Sequence, residues 1–506
     1  MDSDRRIGVT ERLPVTSIEG SARAADPVDE KPRRGIGRAE VVVAVLAFAA
    51  LCVAVLTRTV QLLEPDDLAY RASIIALTRG HLSLTNTQYH ALLTELSNGG
   101  GQGIAQWVQT TSGRWISEKN PGYPFLALPF QALGLLRVAP LFYGALGCLG
   151  LFAGARRWLG RWGGTWAVIL FCSSGAALVF AWRATMPTFT DASLIAAGAG
   201  ALLWAFLATE RTIRLRTVIG LLGFVALEAA VLVRYTNVVL LVVAVLAALL
   251  VFRRAALPLR TVAWWLGSVG ALIAGILVFD QVFYGNALKT GYTSGVVTFS
   301  LGSVIPNLQG MPAPLVKSMP MLLLALGALG WMAVRAVRSR RRGIEAERRL
   351  TYRRDAVIGA FLAMGWIGIW GLYLAYDWTA RMEFDLARVI ASTGGAGGGV
   401  HVIRFYLPAL GLISLLAAWL LVRLPRWLTI VVLVAIIGLG AWSYSGLATA
   451  GMGPGSGPGG GPPGGGPGGG PPGGGAPGVG GPGGPPPAGG GAPPGVGVGG
   501  GAPPQR

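Results

Sequence analysis

Apolar residues run through the chain in blocks of about 17 to 21, separated by short polar or charged intervals. An α-helix needs about 20 such residues to cross a hydrocarbon layer about 30 Å thick. The runs at 40–59, 138–156, 165–182, 189–208, 217–233, 235–252, 262–282, 316–334, 356–374, 405–422 and 427–445 predict an all-α polytopic membrane protein of about 11 transmembrane helices. The stretch 122–136, GYPFLALPFQALGLL, is shorter and holds two prolines, so an interfacial or half-inserted helix is expected there. The intervals at 60–137, 183–188, 283–315 and 375–404 fall on one side, and the first is a large loop expected to carry juxtamembrane helices. Residues 1–39 are polar with charges of both signs and read as a disordered arm, leaving 40–445 as the membrane-embedded domain. From 446 to 506 the chain is Gly/Pro-rich without strict G-X-Y periodicity, which predicts a disordered tail and not collagen.

Charge sets the expected orientation. Of the 42 Lys and Arg residues, 28 lie in the arm or in 156–161, 210–216, 253–260, 335–354 and 423–426. The positive-inside rule then puts the N-terminus in the cytoplasm, and the 60–137 loop and the tail outside a plasma membrane. The net charge of +19 therefore marks topology, and no nucleic-acid partner is expected. The first run lacks a convincing cleavage site and reads as an uncleaved helix. Cys52, Cys148 and Cys172 sit in three different runs and read as small buried hydrophobes. His81, His90 and His401 are too scattered for a zinc site, and no phosphate-cradling GxxxxGK[ST] loop occurs.

Candidate chemistry concentrates between Glu64 and Pro124. Glu64, Asp66 and Asp67 stand just after the first run, where a carboxylate meets water beside a low-dielectric layer and can act as a base or a cation ligand. Capping of a helix that starts near Leu68 explains the same residues. Among basic residues expected at the same face, Lys119, Arg183, Arg234, Lys289 and Arg404 are candidates to hold a phosphate, although a snorkelling or solvated role accounts for each. Asp191 suits a helix N-terminus. Glu228 lies inside an apolar run, where an interhelical hydrogen bond is the plain explanation, and both carboxylates are kept as a possible second site. Asp377, Arg381, Glu383, Asp385 and Arg388 read as a solvated amphipathic helix or an acceptor contact.

Several short motifs occur in a telling order. Asp66-Asp67 follows the first helix, with Tyr70 three residues on; TRGHLSL (78–84) is similar to DGDLDL, and EKNPGYP (118–124), which holds Tyr123, to a K-P-P or H-P-P-G-Y-P element. FYGNALKTGY (283–292) and RFYLPAL (404–410) are similar to FG-N-P-TGY and RY-LP-AL. In these motifs and in its layout over 40–445 the chain resembles the polytopic GT-C glycosyltransferases, of the protein-mannosyltransferase and aminoarabinose-transferase kind. The resemblance implies transfer of a hexose or pentose, with inversion, from a polyprenyl-phosphate donor to an envelope glycan, lipid or protein acceptor on the outer face. It assigns Asp66 or Asp67 as base and a basic residue to the departing phosphate, and it favours Asp67 through its spacing to Tyr70. Many relatives have Asp-Glu or Glu-Asp at this pair, so the division of roles is open. A divalent cation, Mg²⁺ or Mn²⁺, on Asp66 or Asp67 is the metal alternative. The competing functions are a transporter or flippase for lipid-linked glycans, which would more naturally show internal repeats, and a non-catalytic envelope scaffold.

Overall fold

A computed structural model of the protein describes residues 37–57, 65–97, 106–251, 255–292, 297–339, 346–381 and 398–449. The arm up to residue 36, the tail from 450, and Glu64, Glu383, Asp385 and Arg388 lie outside the described residues.

Helix α1 (Arg38–Leu56) is followed by α2 (Pro65–Thr78), α3 (Asn86–Ser97), a hairpin of β1 (Trp107–Gln109) and β2 (Trp115–Ser117), and α4 (Gly122–Ala132). Then come α5 (Ala139–Leu159), α6 (Gly163–Cys172), α7 (Gly175–Trp182), α8 (Thr188–Leu207), α9 (Ile213–Val233), α10 (Val238–Val251) and α11 (Leu259–Tyr284). The last part holds α12 (Val304–Gly310), α13 (Pro312–Ser318), α14 (Met321–Arg338), α15 (Ala346–Leu374), α16 (Asp377–Arg381), α17 (Gly398–Tyr406), α18 (Leu410–Leu421) and α19 (Arg426–Thr449). Within the described residues each predicted apolar run is mainly helical, with the run 316–334 interrupted at Met319-Pro320. Among the described residues, nine helices are long and apolar enough to span a membrane, and Tyr235–Val251 is a shorter apolar one. The run 165–182 is not one straight span: α6 and α7 meet at 62°. The break falls at Ser173-Ser174, where Ser174 Oγ accepts from Ala177 N–H (3.3 Å) and donates to Ser318 O (3.0 Å), serving backbone groups that a continuous helix would pair itself. The chain is a multi-pass membrane protein with an all-α bundle.

The span Val402–Leu421 is 94% buried and Arg38–Leu56 only 22%, so the former is the axis of the bundle and the latter lies at its edge. Packing without a hydrophobic contrast between helix and lipid relies on small residues. Along α5, Gly147, Gly150 and Gly154 face Ser193, Ala197 and Gly200 of α8; a Cβ on Gly154 would lie 2.5 Å from Gly200 O, and one on Gly147 2.9 Å from Ser193 O. The carboxylate of Asp355 ties helices at the arginine-rich end, accepting from Trp158 Nε1 (3.0 Å), Trp419 Nε1 (2.9 Å) and Arg423 Nη2 (2.7 Å).

The hairpin in the first loop is an addition to the all-α expectation, with Trp107 opposite Ser117 and Gln109 opposite Trp115. Its three-residue strands are too short to show alternation in sequence. Trp107, Leu84, Tyr89 and Leu92 form a small core on the Ala69–Ala72–Ala76 face of α2, and Tyr89 stacks on Trp115 at 4.1 Å. This core fixes the path of the chain from β2 into residues 118–123.

Candidate active site

Helix α2 begins at Pro65, which places Asp66 and Asp67 in its first turn. Both lie inside the helix instead of ahead of it, and each carboxylate reaches to another segment. Asp67, 1% exposed, pairs with Arg183 at the end of α7 and accepts from Thr185 Oγ1 at 2.7 Å. The helix break between α6 and α7 is what delivers Arg183 and Thr185 to this position. Asp66 is more open, with 14% of its side chain exposed, and sits between Arg404 Nη1 (2.8 Å) and Lys119 Nζ (3.3 Å).

Lys119 is held by backbone docking on both sides. Its N–H bonds Ser117 Oγ at 3.1 Å, and three residues on Gly122 lies so close to α9 that a Cβ there would stand 2.6 Å from Val233 N. From the other side Gly291 packs on Glu118, where a Cβ would meet Glu118 Cα at 2.7 Å. The Lys119 ammonium therefore lies 5.1 Å from the centre of the Tyr292 ring. Burial pushes the Lys119 pKa below the ordinary lysine value against the opposing pull of Asp66, and burial pushes the Glu118 carboxyl up.

Arg234 links this cluster to the helix starts behind it. Its guanidinium lies 3.5 Å from Asp191 Oδ2 and donates to Thr188 Oγ1 (3.0 Å) and to the backbone O of Arg404 (3.2 Å). Asp191, fully buried in the first turn of α8, also accepts from Asn237 Nδ2 at 2.6 Å. Both Arg234 and Arg404 lie against the Phe405 ring, at 5.6 and 4.8 Å. Tyr70 meets Tyr123 edge-on at 5.9 Å, and the Tyr123 hydroxyl donates to Ala184 O beside the Arg183 segment.

The structure thus brings Asp66, Asp67, Lys119, Arg183, Arg234, Arg404, Asp191, Tyr70 and Tyr123 to one end of the bundle. Two expected members stay apart. Lys289 is exposed and makes no ion pair among the described residues; Glu228 accepts from Ser268 Oγ (2.7 Å), an α9–α11 hydrogen bond of the plain kind. Asp377 accepts from Ser300 and Ser303 hydroxyls instead of standing in solvent. Thr185, Asn237 and Tyr292 join the site although spacing alone does not single them out; for Tyr292 the TGY motif was the available signal. Among the described residues no group of three or more His, Cys, Asp and Glu is arranged to hold a metal. Asp66 and Asp67 face guanidinium and ammonium groups, a donor set that suits the protein's own cations better than a divalent ion.

No protein-family model and no curated protein matches the chain. Solved structures do overlay on it. The oligosaccharyltransferase of Archaeoglobus fulgidus in the apo form is 12% identical with a TM-score of 0.48, covering 82% of this chain and 56% of that one. ArnT from Cupriavidus metallidurans in the apo state is 16% identical with a TM-score of 0.37 over 76% and 77% of the two chains, and ArnT bound to undecaprenyl phosphate is 15% identical at the same TM-score and the same coverage. The chain spans just over half the length of the archaeal enzyme. At these identities and scores the likeness is one of helical layout and fixes neither a family nor a reaction.

Proposed function

We propose that the protein is a GT-C-type glycosyltransferase that moves a sugar from a polyprenyl-phosphate carrier to an envelope glycan, lipid or protein acceptor on the outer face of the membrane. One observation carries this reading: four of the five motifs whose order resembles that family, spread from residue 66 to 410, meet around Asp66, Lys119 and Arg404. In this triad one carboxylate faces two cations, which leaves a net positive charge. A donor phosphate supplies the negative charge that Lys119 and Arg404 otherwise find in Asp66, and Arg234 stands behind them. Asp66, relieved of its partners, accepts the proton of an acceptor hydroxyl; the acceptor oxygen forms the new bond to the anomeric carbon, and the bond to phosphate oxygen breaks with its electron pair leaving on the polyprenyl phosphate. Attack opposite the leaving group inverts the anomeric centre. Asp67 has a different part, since its near-complete burial against Arg183 and Thr185 suits a residue that positions α2. An apolar groove of about 380 Å³ between α4, α9 and α11 begins at Pro121-Gly122, next to Lys119, and offers a path for prenyl units. No step is routed through a metal.

The test is transfer in vitro from a panel of synthetic polyprenyl-phosphate sugars with Asp66→Asn and Asp67→Asn beside the wild type. Wild-type transfer from at least one donor, abolished in Asp66→Asn at equal protein level, is expected. Transfer within about twofold of wild type in both variants would remove this loop from the chemistry, because a general base contributes on the order of 10²- to 10⁴-fold.

A further inference from the structure

A large cavity lies away from Asp66, at the other end of the helices. It measures about 1330 Å³ and lies among the start of α1, the end of α5, the end of α8 and Arg354 of α15. Small-molecule pockets measure roughly 300–1,000 Å³, so a compact solute leaves much of this space empty. Val41, Val45, Phe48, Leu149, Phe152 and Trp204 form an apolar floor. Val45 and Leu149 are 58% and 64% exposed, so the floor opens sideways to where acyl chains run.

The rim has the opposite character. Five arginines line the cavity against two glutamates, Glu40 and Glu210. Glu40 is 1% exposed and holds Arg156 and, at 2.8 Å, Arg161 Nε; Glu210 pairs with Arg157 and lies 3.6 Å from Arg211 Nε. The glutamates hold four of the five guanidinium groups and Asp355 Oδ1 stands 3.6 Å from the fifth, Arg354 Nη2, so three carboxylates face five arginines, and Asp355 is itself shared with Arg423. The side chains of Arg161, Arg211 and Arg354 nevertheless keep 58%, 61% and 48% of their surface exposed, and an Arg held in place with open donors is suited to phosphate.

We propose that this cavity binds an anionic glycerophospholipid, its acyl chains on the apolar floor and its phosphate at Arg161, Arg211 and Arg354. A soluble anion would make no use of the floor, and a neutral lipid would leave the excess positive charge unmatched. Basic pockets between helices at the cytoplasmic leaflet are fitted to such headgroups. The leaflet follows from the positive-inside orientation, but the binding itself rests neither on that orientation nor on the transferase reading.

The experiment is native mass spectrometry of the purified full chain in neutral detergent with dioleoylphosphatidylglycerol or dioleoylphosphatidylcholine. One phosphatidylglycerol should be retained, preferred over phosphatidylcholine by about tenfold or more. Each arginine at an anionic surface is worth roughly a factor of five, so Arg161→Gln with Arg211→Gln should bring the two lipids to within about twofold. Ala145→Trp, which fills the floor without altering charge, should lower retention of both. Equal retention of the two lipids by the wild type, or an unchanged preference in the double variant, overturns the proposal. Displacement of phosphatidylglycerol by an equal concentration of glycerol 3-phosphate would assign the site to a soluble anion and overturn it as well. Sugar transfer forms no part of the readout, so its failure in a separate assay leaves this result standing.

Discussion

Asp66 and Asp67 are neighbours in sequence and about 100° apart around α2, and that angle gives them different environments. Replacing Asp66 by Asn should lower turnover on the order of 10²- to 10⁴-fold while leaving the thermal midpoint near that of the wild type. Asp67→Asn breaks a buried ion pair, a class of change that costs about 3–5 kcal/mol, and should lower the midpoint clearly; thermal unfolding and transfer measured on the same preparations separate the two. Spacing to Tyr70 favoured Asp67 in the sequence, because a motif records which residues recur but not which face of a helix each occupies. Lys119 adds a pH test. Its ammonium is the form that meets a phosphate, and burial lowers its pKa, so activity should fall as pH rises through a value below that of ordinary lysine. Lys119→Arg should move that alkaline limb upward, since the guanidinium stays charged; a limb that does not move assigns it to another group. Chelation by EDTA should leave initial rates within about twofold of untreated enzyme, and rescue of a chelated sample by Mg²⁺ or Mn²⁺ would restore a metal to the mechanism.

Helices with twenty apolar residues announce themselves, and the runs gave their order, whereas of about 11 expected spans nine among the described residues are long and apolar enough, with a bent pair and one shorter apolar helix besides. What they hide is contact at backbone level. The α5–α8 seam depends on Gly147, Gly150 and Gly154, whose spacing is visible in the sequence but whose partners are not. Gly154→Leu should therefore prevent accumulation of folded protein, while Gly267→Ala on α11, where a Cβ meets nothing within 4 Å, should be neutral or stabilising by up to about 1 kcal/mol. Detergent extraction followed by size-exclusion chromatography distinguishes them. The bend of α6 on α7 was likewise concealed, because Ser173 and Ser174 are apolar enough in context to pass within a run of hydrophobic residues. Lys289 erred the other way: it belongs to a motif, yet it stands exposed at the loop surface, since Gly291 and Tyr292 are the members that dock.

The two ends of the molecule carry different charge chemistry: paired carboxylates and cations at one, an excess of arginine at the other. With the arginine end in the cytoplasm, a cysteine introduced near Gly100 should react with an impermeant maleimide in intact cells; labelling only after permeabilisation would reverse the orientation. Truncation after residue 450 should leave transfer unchanged per folded molecule, as a Gly/Pro sequence supplies no fixed side-chain geometry. The pairing of Asp66 with Arg404 also has a bearing on how the protein is made. Asp67 finds Arg183 after 116 residues, but Arg404 belongs to the last third of the chain, and at roughly 5–20 residues per second it leaves the ribosome on the order of 20–70 s after Asp66. During that interval the nascent chain lacks the guanidinium that completes the triad. If the proposed chemistry holds, no transfer is expected from a chain that ends before Arg404 has joined the triad.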